Sequence, residues 1–236
     1  MWNTLLVLMA CSGPDALTGD SGEELPRQLQ QPRAPLQFQL PLADPSQFNL
    51  MVGVDHDPVV HDAGFSASEC LDYVGRSFPY CYDEHDGSDY ILVGGFSAMD
   101  AGSVAVTAAA EGTVSYTDDG HYDRCRADLA TGKIDCDGHE MNANEVTVTH
   151  AGGYQTRYLH LMTDSVSVSV GDTVSAGTVL GRVGSSGNSS MPHLHFQLED
   201  PDGVIIDPYA GPLSQEETWW CEQGDVDALP GGCGTP

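Results

Sequence analysis

The chain has 236 residues, with 35 acidic side chains against 8 basic ones and a formal net charge of −27. That charge excludes nucleic acid or an anionic lipid surface as an electrostatically held partner, since both need basic surface. It reads as a solvated acidic coat on an exported protein. The length suits one domain with a real core plus flanking segments, and 27 glycines among short Val/Thr/Ser-rich runs predict a mostly β, antiparallel fold.

Residues 1–11 carry an apolar run too short to span a bilayer as a mature helix. Leu8-Met9-Ala10-Cys11 resembles a bacterial lipobox, although no Lys or Arg precedes it. The resemblance implies a lipoprotein signal, lipid attachment at Cys11 and a membrane anchor. With Ser12 following, the expected location is the periplasm-facing side of the outer membrane. Residues 12–46, rich in Pro, Gln, Gly and Ser, read as a flexible tether. Residues 47–82 read as a lead-in that walls one side of a cleft. Within that lead-in His56, like His61, reads as a solvated loop histidine, and Tyr80 with Tyr82 as a packed aromatic pair. Setting Cys11 aside, six cysteines allow fifteen pairings. Pairing close in sequence gives Cys70–Cys81, Cys125–Cys136 and Cys221–Cys233, which fits an oxidising compartment. The tighter C-x-x-C spacing of a cysteine zinc site is absent.

The segment His85-Asp86-Gly87-Ser88-Asp89 places a histidine and an aspartate on one face of an extended chain, with Gly87 leaving the space between them open. A helix is disfavoured by the Asp-Gly-Ser interior, and Tyr90-Ile91-Leu92-Val93 reads as strand. Asp118–Asn144 reads as an inserted hairpin closed by Cys125–Cys136. Arg157-Tyr158-Leu159-His160-Leu161 reads as a strand with His160 on its polar face. In His193-Leu194-His195-Phe196-Gln197-Leu198 the side chains alternate. Leu194, Phe196 and Leu198 then face a core, and His193, His195 and Gln197 the opposite side. Residues 213–236 read as a tail closed by Cys221–Cys233 that docks through Trp219-Trp220.

Rival motifs fail. His139-Glu140-Met141-Asn142-Ala143 lacks the second histidine of H-E-x-x-H, and Gly184-Ser185-Ser186-Gly187 is one residue short of a nucleophile elbow. The only lysine, Lys133, lies in the insert, which argues against a Ser-Lys mechanism or a lysine-modified carrier domain.

The order H-x-G-x-D, Y-x-H-L, H-L-H resembles zinc metallopeptidases of the lysostaphin/LytM type. Val106–Val114, Val146–His150, Val170–Gly177, Gly184–Gly187 and Asp207-Pro208 resemble further landmarks of that family, over about residues 83–210, within a peptidase domain expected at 83–212. The resemblance implies an antiparallel β-sheet LytM-like peptidase domain, to which this sequence adds the disulfide-stapled hairpin insert. It implies one zinc ion per chain held by His85, Asp89 and His195. His160 and His193 would handle the attacking water and the developing oxyanion; the favoured assignment makes His193 the general base and His160 its partner or oxyanion stabiliser, and the sequence does not separate the two roles. The expected activity is hydrolysis of peptide cross-links in peptidoglycan. The alternatives are an inactive LytM-like regulator of other wall hydrolases or a secreted lysin. Two departures from the family pattern stand out: the insert, and Phe78-Pro79-Tyr80-Cys81 where an F-G-x-R segment is usual.

Overall fold

The computed structural model describes residues 33–60, 69–102, 104–128 and 133–234. Cys11, His61 and the first part of the expected tether lie outside these residues. Among the described residues the strands are β1 (Arg33–Phe38), β2 (Phe48–Val52), β3 (Ser88–Leu92), β4 (Ala105–Thr107), β5 (Gly112–Asp118), β6 (Arg126–Asp128), β7 (Lys133–Asp135), β8 (Glu145–Thr149), β9 (Gln155–Leu159), β10 (Thr173–Val174), β11 (Val179–Arg182), β12 (His193–Glu199), β13 (Ile205–Ile206) and β14 (Thr218–Trp220). One short helix, α1 (Gly95–Asp100), follows β3. The fold is mostly β, as the composition predicts.

Eight strands form the main sheet in the order β10-β5-β8-β9-β12-β3-β2, with β13 added to the end of β12. Its neighbours all run antiparallel. β12 lies between β9 and β3, so both its edges are hydrogen-bonded. Its alternation is the predicted one: Leu194, Phe196 and Leu198 are wholly buried on one face. Tyr158 of β9 stands opposite Phe196 and shares that face. Each such side chain contributes about 1.5–3 kcal/mol by leaving water.

That apolar face is covered by β1 and β14. β1 and β14 pair in parallel. Phe38 of β1 and Trp220 of β14 are fully buried, with ring centroids 6.2 and 5.5 Å from Phe196. The tail therefore docks through Trp219-Trp220 as expected. The tether expected over residues 12–46 is corrected for its second part, residues 33–46. Phe38, Leu40 and Leu42 are core residues. Their alternation with Gln37, Gln39 and Pro41 is a strand-like pattern that the surrounding prolines and glutamines obscure.

The six cysteines among the described residues form Cys70–Cys81, Cys125–Cys136 and Cys221–Cys233. In the lead-in, the expected pair Tyr80 and Tyr82 separates. Tyr80 lies under the Arg76 guanidinium at 3.8 Å, whereas Tyr82 stacks on the His85 ring at 4.2 Å. His56 is not a solvated loop residue; its Nε2 lies 2.8 Å from the buried Asp207 carboxylate. The insert forms a small antiparallel hairpin, β6 with β7.

Candidate metal centre

β3 and β12 pair so that Asp89 stands directly across from His195. Directly opposed residues of an antiparallel pair share a face, so both side chains meet on the side away from Phe196. His85 arrives from the turn before β3, where its backbone N–H donates to Tyr82 O. The side chains converge: His195 Nδ1 lies 2.8 Å and His85 Nε2 3.2 Å from Asp89 Oδ1, and the two nitrogens are 3.3 Å apart. All three residues are buried.

Gly87 makes this convergence possible. A Cβ there would sit 2.5 Å from His195 Nε2 and 2.9 Å from Phe196 O. The glycine of H-x-G-x-D is thus the cradle of the His195 ring, not a turn residue.

His193 and His160 flank the cluster, with ring centroids 4.6 Å apart. His193 Nε2 lies 3.5 Å from Asp89 Oδ1. His160 is a correction to the strand reading. β9 ends at Leu159, which stands opposite His195, while Tyr158 faces the core. Continued alternation would send residue 160 to the core side. Instead His160 has φ +63°. That left-handed residue breaks the period and brings its ring against His193 and His195. A two-residue repeat cannot anticipate such a break.

Each imidazole has its outer nitrogen fixed. Carbonyl oxygens only accept, so His85 Nδ1–H donates to Gly53 O, His160 Nδ1–H to Ser186 O and His193 Nδ1–H to Met191 O, each at 2.7 Å. Their Nε2 atoms are left free when neutral. His195 is turned the other way: Nδ1 faces Asp89, and Nε2 lies 3.3 Å from Gln197 Oε1. Gln197 is oriented in turn, because its Nε2 donates to Glu199 Oε1 at 2.5 Å. The sequence placed Gln197 on this face, but the three carbonyls carry no residue-type signal and were not foreseeable.

The electrostatics follow from burial and crowding. Burial pushes the Asp89 carboxyl up, but His85 and His193 more than offset it and hold the group well below the ordinary carboxylate range. For His85 and His193 burial acts downward and the Asp89 charge prevails, raising both. Burial, reinforced by the other imidazoles, holds His160 well below its ordinary value and keeps it neutral.

His85, Asp89 and His195 offer ligand atoms that all lie within 4.8 Å of one another. Zinc–nitrogen bonds of about 2.0–2.1 Å imply ligand–ligand edges of roughly 3.3 Å in a tetrahedron. Two of the three spacings, 3.2 and 3.3 Å, match that shell, and the third, 2.8 Å between His195 Nδ1 and Asp89 Oδ1, is the length of a direct hydrogen bond that an ion would open. Two imidazoles and a carboxylate are also a donor set that suits zinc and leaves a position open. The residues therefore fit the ion.

The profile of peptidase family M23 matches residues 85–208, more than half of the chain. The chain belongs to that family. Among characterised relatives, the peptidoglycan DD-endopeptidase ShyA of Vibrio cholerae is 40% identical over 60 residues, 25% of this chain and 14% of its own. The glycyl-glycine endopeptidase ALE-1 of Staphylococcus capitis is 46% identical over 55 residues, 23% of this chain and 15% of its own. The similarity thus spans only about a seventh of these relatives' length. Among solved structures, the catalytic domain of lysostaphin from Staphylococcus simulans aligns with 25% identity and a TM-score of 0.36, over 53% of this chain and 77% of its own.

Proposed function

We propose that the protein is an exported zinc metalloendopeptidase that hydrolyses peptide cross-links of bacterial peptidoglycan. The observation that carries this reading is the convergence of five residues. Three offer metal donors to one point, and two further imidazoles stand beside them with their outer nitrogens fixed.

His85, Asp89 and His195 would hold the zinc ion. When bound, the ion supplies a Lewis acid that polarises the scissile carbonyl and acidifies a water. The chain's own residues do the rest. His193 Nε2 takes the proton from the attacking water. The imidazolium so formed keeps its Nδ1–H on Met191 O, and His193 later returns the proton to the leaving amine. His160, neutral and with Nδ1–H spent on Ser186 O, has only a lone pair to give at Nε2. It therefore accepts a hydrogen bond from the water and orients it. This favours the partner role over the oxyanion role.

Beside the cluster lies a cavity of about 260 Å³, lined by apolar Val52, Phe78, Pro79, Ile91 and Met191 and by polar Tyr82, Asp89, Asn188, Ser190 and His193. Apolar walls gain nothing from glycine, so the cavity supports a D-alanyl rather than a glycyl bond as the target. The disulfides support an oxidising compartment. Anchoring through lipid on Cys11, facing the periplasm from the outer membrane, is part of the same proposal.

The test is muropeptide analysis of cross-linked sacculi treated with the zinc-loaded protein. The expected result is loss of dimers with matching gain of monomers, absent with His193→Ala. Unchanged dimers with one zinc bound would refute the cross-link substrate. Unchanged dimers without zinc would favour a regulator.

A further inference from the structure

We propose that the disulfide-closed insert 118–144 is a positioning element for His193, acting through the buried hydroxyls of Ser185 and Ser189. The inference rests on the reading of His193 as the proton acceptor.

The insert grips the loop 184–191 that precedes β12. Cys125 N–H donates to Ser185 O at 2.9 Å, and Ser185 Oγ donates to Cys125 O at 2.6 Å. Ala127 N–H donates to Ser190 O at 3.0 Å. At the insert's other end Asn144 N–H donates to Ser186 Oγ at 2.9 Å. Gly187 has φ +72°, and a Cβ there would lie 3.0 Å from Ala143. The disulfide partner Cys125 and both serines are buried.

From this grip a line of hydroxyls runs to the histidine. Ser185 Oγ spends its only proton on Cys125 O, so toward Ser189 Oγ, 2.8 Å away, it is an acceptor. Ser189 Oγ lies 3.0 Å from Met191 O and 3.3 Å from His193 Nδ1. Its one proton goes to Ser185 Oγ, so its lone pair offers the His193 Nδ1–H a second acceptor beside Met191 O. Strand alternation aims His193 at the site but leaves its ring rotation loose, because the outer torsion of an imidazole is broad. The Met191 carbonyl and the Ser189 hydroxyl at the end of this line together hold that rotation. His160 depends on the same loop through Ser186 O. This gives the insert a physical role: it holds the loop on which both non-ligand histidines are hung.

The test uses zinc-loaded full-length protein labelled with nitrogen-15 at histidine. In the native protein His193 should give one signal set of the Nδ1–H form. Ser189→Ala should broaden or split that set and lower kcat by about 10–100-fold, the scale for losing such an orienting partner. Zinc content and KM should be unchanged, and Ser189→Thr, which restores the hydroxyl, should recover both the signal and kcat. Cys125→Ser with Cys136→Ser should act in the same direction. Ser189→Ala keeps the disulfide, so it decides the matter even where the cysteine variant does not fold. An unaltered His193 signal in Ser189→Ala would overturn the proposal. Absence of all peptidase activity in the native protein would defeat the proposed function instead, while the His193 signal would still decide this inference.

Discussion

The two faces of β12 are both buried, yet they are held by different physics. On one face Leu194, Phe196 and Leu198 pack against Tyr158, Phe38 and Trp220, and the three side chains of β12 themselves make only undirected apolar contacts. On the other, His193, His195 and Gln197 each make directed contacts through named ring or amide atoms. The first face stabilises by area removed from water. The second spends desolvation to keep donors aimed at one point. One strand thus separates stability from function by its two-residue repeat, and mutations should divide accordingly.

The largest effect on that division should come from Phe196→Ala, with a loss of about 3–5 kcal/mol in stability. Urea unfolding measures it, and zinc stoichiometry of the folded fraction should stay at the native value. His193→Ala should do the reverse. Its melting temperature and zinc content should hold while kcat falls roughly 10²-fold or more; near-native turnover would remove His193 from the mechanism. Gln197→Leu keeps the size but removes the nearer of two acceptors at His195 Nε2, leaving Asp86 Oδ1 at 3.5 Å. Zinc affinity should fall about 10–100-fold, measured by competition with a chelator.

The smallest effect concerns His150, between the two regimes. Its Nδ1 lies 2.7 Å from Glu111 O and its Nε2 2.8 Å from Thr156 Oγ1. Burial lowers its affinity for a proton. The unfolded chain therefore takes up that proton first, near the ordinary value of about 6.5. The His150 contribution is fully present above that pH and is lost as pH falls through the lower folded value. In His150→Gln, stability measured across that window should fall less steeply with acid than in the native protein.

The sequence showed the β12 alternation because period two is a property of the strand alone, and His195 opposite Asp89 follows once β12 pairs with β3. The ligand set came from the resemblance, and the structure brings those three residues together. What escaped is non-local or conformational. The left-handed backbone at His160 leaves no mark in a pattern of apolar and polar letters. Gly53, Ser186 and Met191 contribute carbonyls, which every residue has. Ser185 drew notice only as part of the Gly184–Gly187 run and Ser189 carries no pattern, so only their burial against Cys125 and Met191 gives them a task. Residues 33–46 looked like linker because of their prolines and glutamines, while the burial is carried by Ala34, Phe38, Leu40 and Leu42.

The central claim is that His85, Asp89 and His195 hold a zinc ion. The most direct measurement is metal content by mass spectrometry of the native protein and of His195→Ala, each loaded with zinc and freed of excess. The account predicts one zinc per native chain and none in the variant, with both folded. A folded native chain without zinc, or a variant that keeps it, would contradict the claim.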